Sequence, residues 1–321
     1  MTVPISTPSL PVISLSEHKT LESLATALYS ACTGEGFLYV SDHGIPQATI
    51  DEVFGVAQGY FLHARPEDKV DLKENTGYTA VLDSTKPSSG DLKECFHFAD
   101  THWLRNQGEK QDLPDSLEPS RKKIETFIGY INGVAERLLL GLAVALKRWA
   151  IADARTPCRH NRLRLLHYPP AEINHKDLDP GNPDIRAGAH TDYGSITVLF
   201  QHHISGLQVS RAGAWIDVPP REGCLVINVG DALEFWSGGL FKSTLHRVVM
   251  PRHQAETASR YSIAYFVQPD STSVLEPLVN EANEAVLDEI IARKGLPAGT
   301  RRINGGDYVQ ARLQATYPKK G

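Results

Sequence analysis

The chain has 321 residues, a formal net charge of -5 and 22% charged residues, an ordinary globular balance with no positive excess to favour a nucleic-acid partner. Cys32, Cys95, Cys158 and Cys224 lie far apart with no CxxC pair, which excludes a zinc cage or disulfide framework and, with no secretory leader in view, points to free thiols in a cytosolic compartment. No continuous apolar run approaches the length of a bilayer span, so no membrane partner is expected.

The N-terminal segment closes on Pro11-Val12-Ile13-Ser14-Leu15, a short alternating stretch that reads as a strand. Ser16 and Glu17 then open a helix with Leu21, Leu24, Ala25 and Leu28 at helical spacing. Gly34 and Gly36 stop it before a buried strand, Phe37-Leu38-Tyr39-Val40. A second helix is predicted from Gln47 to Leu62. Between Lys73 and Gly108 the texture is irregular, with turn signals around an apolar patch at Cys95 to Phe98. The longest helical pattern runs from Pro119 to Trp149, with one apolar stripe through Ile124, Phe127, Ile128, Ile131, Ala135, Leu138 and Leu142 that needs a large partner surface.

From Arg162 the pattern changes to short β-type runs: Arg162–Tyr168, Ser195–Gln201, Gly206–Val209, Trp215–Val218, Leu225–Val229, Thr244–Met250 and Arg260–Val267. That cadence indicates a closed or two-sheet antiparallel structure with the long helix packed outside it. The chain returns to helix around Asn280–Lys294 and ends in a polar tail. These readings combine into one catalytic unit over 1–321, mostly helical through 150, with a β core at 160–270 and a C-terminal helix and tail at 271–321.

His190 and Asp192 stand two residues apart in Gly188-Ala189-His190-Thr191-Asp192-Tyr193-Gly194. At the start of a strand they would share a face, with Thr191 pointing away. The best third partner is His246, in the β-type run Thr244-Leu245-His246-Arg247-Val248-Val249-Met250. Two imidazoles and one carboxylate form the facial set that suits non-haem Fe(II) oxygenases and leaves positions open for dioxygen and a bidentate cosubstrate. An HxD pair also recurs by chance, and a strand histidine is often a hydrogen-bonded core residue.

In Arg260–Val267 the alternation puts Arg260, Ser262, Ala264 and Phe266 on one face and four large residues on the other. An arginine in such a strand needs an anionic partner. Either a protein carboxylate or a ligand carboxylate, gripped by the guanidinium and the Ser262 hydroxyl, would serve. Tyr168 could add a hydroxyl to the same cavity or could be a packed aromatic.

Taken in order, Pro11-Val12-Ile13, Gly36 to Pro46, His190 to Thr197, Gly206 to Val209, Val226 to Asp231, His246-Arg247-Val248 and Arg260-Tyr261-Ser262 resemble the isopenicillin N synthase-like family of 2-oxoglutarate- and Fe(II)-dependent dioxygenases. The resemblance covers roughly the whole chain. It implies a mainly β fold, a double-stranded β-helix (jelly roll) flanked by N-terminal and central helices. It places iron on His190, Asp192 and His246, the distal carboxylate of 2-oxoglutarate on Arg260 and Ser262, and Tyr168 beside that cosubstrate. Asp231 matches a family position and reads as a turn cap. Where many plant members have Asn-x-Tyr before the proline, this chain has Leu166-His167-Tyr168, so that Asn contact is absent.

The implied activity is oxidation of a small organic molecule by dioxygen, with 2-oxoglutarate converted to succinate and carbon dioxide. Hydroxylation, desaturation or ring formation could follow, and specialised metabolism is the expected setting. Phe241, Lys242, Thr244 and Phe266, with the Gly77–Phe98 segment, are candidate substrate walls, each also readable as packing or surface. Two other readings stay open: an Fe(II) oxidase of the same fold that does not use 2-oxoglutarate, and a non-catalytic carboxylate-binding barrel.

Overall fold

The alternation in Arg260–Val267 sets the architecture. In the computed structural model, which describes residues 9–69, 76–79, 92–147, 161–170, 185–250, 259–278 and 283–316, this run is strand β12 near the middle of an eight-stranded sheet. Tyr261, Ile263, Tyr265 and Val267 enter the main apolar core, whereas Arg260, Ser262, Ala264 and Phe266 line a cavity on the other side. One strand therefore separates two environments, as its period of two requires.

The large sheet has the order β1(Val12–Ser14), β2(Phe37–Ser41), β10(Cys224–Val229), β7(Ile196–Gln201), β12, β5(Arg162–Tyr168), β4(Glu94–Ala99) and β3(Gly77–Thr79). The facing sheet has four strands in the order β6(Ile185–His190), β11(His246–Val249), β8(Leu207–Arg211) and β9(Ala214–Asp217). All pairings are antiparallel except β1 with β2. The result is the two-sheet jelly-roll core expected from the sequence. A short pair, β13(Val274–Leu275) and β14(Ile303–Asn304), lies apart from both sheets.

Helices α1(Leu21–Gly34), α2(Gln47–His63) and α4(Arg121–Ala145) share one continuous core with the outer face of the large sheet, and the short α3(Thr101–Asn106) packs on α4. The stripe read from sequence on α4 is buried throughout, and Phe127 packs on Phe200 of β7 with ring centroids 4.9 Å apart. Together with its leading turn, Glu118–Ala145 is long and apolar enough to cross a bilayer, against the expectation from continuous runs. Charged residues punctuate the sequence but gather on the solvent side, and the apolar side is occupied by α1, α2 and the sheet.

Several boundaries move for identifiable reasons. Helix α1 begins at Leu21 rather than Ser16, because Ser14 Oγ accepts the Glu17 N–H at 3.3 Å and holds a turn there. Thr20 then caps the helix through Ser23 N–H at 3.2 Å. Gly36 joins α1 to β2 with φ +66, and a Cβ there would overlap the Lys242 carbonyl, so only glycine fits. The apolar patch at Cys95 to Phe98 is strand β4, fully buried. Cys32, Cys95 and Cys224 are free thiols, and burial raises Cys32 to about 12; Cys158 lies outside the described residues.

Beyond short pieces such as α3, β3, β13 and β14, three elements that bear on the site were not anticipated. Strand β6 precedes the HxD pair, the six-residue helix α5(Asp231–Trp236) follows β10, and the expected polar tail contains helix α7(Gly305–Thr316) after α6(Glu284–Arg293). Helix α7 escapes a hydrophobic reading because its inward side is short and mixed: Tyr308 packs on Phe235 in the main core, whereas Arg312 is buried by its pairing with Asp231.

Candidate active site

His190 closes strand β6, and Asp192 lies in the connection to β7. The two side chains converge because this connection is pinned, which corrects the expectation that alternation within one strand aligns them. The Asp231 N–H donates to the Asp192 carbonyl at 2.7 Å, and the Ala232 N–H reaches the carbonyls of Tyr193 and Gly194 at 3.1 Å. A Cβ at Gly230 would strike the Gly194 carbonyl, so glycine permits this close approach. Thr191 does point away, its Oγ1 donating to Asp231 Oδ2 at 3.1 Å.

His246 opens β11 directly opposite His190 of β6. Asp192 Oδ1 lies 4.0 Å from His190 Nε2 and 3.8 Å from His246 Nε2, and one donor atom from each residue falls within 4.8 Å of the others. The remaining ring nitrogens face carbonyl oxygens, His190 Nδ1 that of Gly188 at 2.7 Å and His246 Nδ1 that of Thr244 at 3.1 Å. A carbonyl can only accept, so Nδ1 carries the proton in each ring and Nε2 presents its lone pair.

Thr197 Oγ1 and Asn228 Nδ2 donate to Asp192 Oδ2 at 2.6 and 2.8 Å, leaving Oδ1 for the centre of the triad. Burial pushes the Asp192 pKa up, but His246, His190 and these two hydrogen bonds outweigh it and hold the carboxyl below its ordinary value. Burial and then His246 push His190 down to about 4, although 45% of its side chain is open to the cavity mouth. Anionic carboxylate and neutral imidazole are the forms that bind a divalent metal. The donor set thus fits Fe(II), with three protein ligands on one side and the cavity on the other.

That cavity lies between the two sheets and opens to solvent at one side. Arg260 projects into it with 1% exposure. Its Nη1 donates to Ser262 Oγ at 3.3 Å, its Nη2 to Gln201 Oε1 at 3.2 Å, and its guanidinium lies 4.8 Å from the Tyr168 ring centroid. Its Nε is buried with no partner, and no carboxylate pairs with it among the described residues. Burial lowers its pKa, opposed only in part by Tyr168.

Phe266 lines the same cavity, but the other three proposed substrate walls do not. Phe241 is wholly buried against Tyr29 of α1, Lys242 donates to the Gly239 carbonyl at 3.2 Å, and the Thr244 hydroxyl donates to the Glu35 carbonyl at 2.5 Å. All three belong to the joint between α1 and the β11 approach. Their position near His246 in sequence misled because this segment turns outward before the strand begins. Of the Gly77–Phe98 segment, residues 80–91 lie outside the described residues and Lys93 lines the cavity.

Sequence reasoning missed Thr197, Asn228, Gln201 and Arg164. Each had a signal, since a polar residue inside an apolar β-run needs a buried partner. Asp231 is more than a turn cap. Its carboxylate receives Ser243 Oγ at 2.6 Å, Thr191 Oγ1 at 3.1 Å, Arg312 Nε at 3.0 Å, and also Lys294.

A two-sheet barrel with a His-Asp-His metal triad beside a buried, uncompensated guanidinium defines a metal-dependent enzyme that takes an anionic cosubstrate. Residues 159–269 match the model of the 2OG-Fe(II) oxygenase superfamily, and residues 10–119 match that of the non-haem dioxygenase in morphine synthesis N-terminal region. The chain is 31% identical over 282 residues to 1-aminocyclopropane-1-carboxylate oxidase 4 of Arabidopsis thaliana, covering 84% of this chain and 80% of that one. It is 30% identical to a homoarginine-6-hydroxylase of Glycine max, with 78% and 79% covered. The crystal structure of full-length Neurospora crassa T7H with alpha-KG and 5-formyluracil superposes with a TM-score of 0.78 at 30% identity, covering 95% and 96% of the two chains. The protein belongs to the 2OG-Fe(II) oxygenase superfamily, within its isopenicillin N synthase-like branch, and is a 2-oxoglutarate- and Fe(II)-dependent oxidoreductase using dioxygen.

Proposed function

We propose that His190, Asp192 and His246 hold the Fe(II), that Arg260 and Ser262 bind the distal carboxylate of 2-oxoglutarate with Tyr168 beside it, and that the chain acts as one catalytic unit on a small organic substrate. The observation that carries this reading is Arg260: a buried guanidinium with no acidic partner among the described residues, opening into the same cavity as the triad.

The register supports the fit. Phe266 of β12 pairs with Thr197, the residue that holds Asp192, whereas Ser262 pairs with Gln201, the residue that holds Arg260. These rows are four residues apart on β7, about 13 Å at strand rise. The triad's support and the guanidinium's support thus stand at two separate rows of one cavity wall, as a ligand with an acid group at each end requires.

When bound, Fe(II) and 2-oxoglutarate supply the oxidising chemistry, activating dioxygen with release of succinate and carbon dioxide. The chain's own residues orient and protect it. Thr197 and Asn228 fix the Asp192 carboxylate, the Gly188 and Thr244 carbonyls fix both imidazole tautomers, and Leu166, Leu199, Val248 and Ala264 keep the cavity wall dry.

Hydroxylation, desaturation or ring closure of a molecule from specialised metabolism is the proposed outcome. The curated relatives support small substrates by their names, 1-aminocyclopropane-1-carboxylate in one case and homoarginine in another. A metabolite screen read by succinate formation tests the proposal. Turnover should need both Fe(II) and 2-oxoglutarate, and Arg260→Met should raise the KM for 2-oxoglutarate at least tenfold, in line with loss of a charge-assisted pair. Substrate oxidation without succinate would favour a 2-oxoglutarate-independent oxidase, and iron binding with no oxygen uptake would favour a simple binding barrel.

A further inference from the structure

Arg260 is not the only arginine in the cavity. Arg164 lies on β5 four residues before Tyr168, on the same strand face, and lines the same space. It pairs across the strands with Ala264 of β12 and His97 of β4. Its guanidinium sits 4.7 Å from the ring centroid of Phe266, and its Nε is buried without a hydrogen-bond partner. Among the described residues it makes no ion pair.

The acids around it are already engaged. Glu94, on the adjoining strand, takes His167 at 2.7 Å, Tyr78 at 2.6 Å and Lys69 at 3.1 Å on the opposite side of the sheet. Asp192 is held by Thr197 and Asn228 within the triad. His97 offers no negative charge, and Lys93, which also lines the cavity, adds positive charge.

The two guanidiniums occupy different rows of the cavity wall that also carries the triad. Arg260 belongs to the row of Gln201, while Arg164 lies over Phe266, in the row of Thr197 beside Asp192. With Fe(II) and the 2-oxoglutarate dianion in place, Asp192 and Arg260 would bring the centre to formal neutrality, which leaves Arg164 without a counter-charge among the described residues.

We propose that Arg164, backed by the face of Phe266, is the specificity-determining residue for the primary substrate, and that this substrate is a small carboxylic acid whose flat or apolar body packs on Phe266, Leu166 and Ala264 while its carboxylate meets the Arg164 guanidinium. The inference rests on the assignment of Arg260 to 2-oxoglutarate, because that assignment leaves Arg164 for the substrate. An arginine fork recognises a carboxylate through two parallel hydrogen bonds, and its preorganised stacking on a ring reduces the ordering cost.

Benzoate is the smallest probe that joins a flat apolar body to a carboxylate, and benzamide is its neutral counterpart. The test is calorimetric titration of both into the anaerobic full-length protein saturated with Fe(II) and 2-oxoglutarate, which keeps Arg260 occupied. Benzoate should bind saturably and benzamide about tenfold or more weakly. Arg164→Met should weaken benzoate by about tenfold to a hundredfold, with 2-oxoglutarate affinity retained, and Arg164→Lys should fall between. The proposal is overturned if benzoate does not saturate, if benzamide binds equally well, or if Arg164→Met leaves benzoate affinity unchanged. Failure of 2-oxoglutarate itself to bind would instead sink the cosubstrate assignment. Arg164→Lys and the acid-amide comparison decide the matter even if Arg164→Met does not fold.

Discussion

Thr191 and Arg312, one between His190 and Asp192 and the other in the last described helix, bind the same oxygen, Asp231 Oδ2, at 3.1 and 3.0 Å. The other oxygen receives Ser243, three residues before His246, and Lys294 from the end of α6. Asp231 is wholly buried, and Glu234, one helical turn on, pairs with Lys294 at 2.9 Å and Arg293 at 3.0 Å. The C-terminal helices therefore brace both segments that carry the triad.

Removing one partner from such a cluster leaves buried charge uncompensated. Arg312→Met should destabilise the metal-free protein by roughly 3 kcal/mol in urea unfolding. Fe(II) affinity should fall with it, because Thr191 loses a fixed anchor. Unchanged stability would mean that Lys294 alone neutralises Asp231.

Thr197→Val removes one of two hydrogen bonds that orient Asp192 and keeps the side-chain shape. Fe(II) affinity should drop by about tenfold to a hundredfold, the usual effect of losing a group that orients a ligand. Circular dichroism should stay that of the parent. Unaltered affinity would show that Asn228 suffices.

His97 gives a pH test. Burial, followed by Arg164, Arg162 and Lys93, pushes its pKa down to about 2, and its Nε2 lies 3.1 Å from Cys95 Sγ. Below about pH 6.5 the unfolded chain takes up a proton at this position that the folded chain refuses. Its contribution is therefore whole above that pH and is lost as pH falls towards 2, at about 1.4 kcal/mol per pH unit. Urea unfolding of the metal-free protein between pH 7 and 5 should be steeper for the parent than for His97→Gln. Equal slopes would contradict the depressed pKa.

Much of this was legible in the sequence because strand alternation is a local property. Arg162–Tyr168 and Arg260–Val267 were bounded as observed, and the split of β12 into a cavity face and a core face followed from its residues. Strand β6 was not legible, since Ile185-Arg186-Ala187-Gly188-Ala189-His190 alternates only through small residues of low strand preference after Ile185 and owes its conformation to pairing with β11. Helix α5 is buried on all sides, so no amphipathic period marks it. Helix α7 was hidden for a different reason: its buried side holds one aromatic, Tyr308, and one cation, and Arg312 has meaning only once Asp231 is beside it. The misplaced substrate walls Phe241, Lys242 and Thr244 show the same limit, as nearness to His246 in sequence did not survive the turn before β11.

Anaerobic titration of Fe(II) and then 2-oxoglutarate, followed in the visible region, tests the central assignment most directly. The parent should develop a metal-to-cosubstrate charge-transfer band. His246→Ala should lose it, and Arg260→Met should show it only at much higher 2-oxoglutarate. An undiminished band in His246→Ala, or a 2-oxoglutarate midpoint in Arg260→Met equal to that of the parent, would contradict the account.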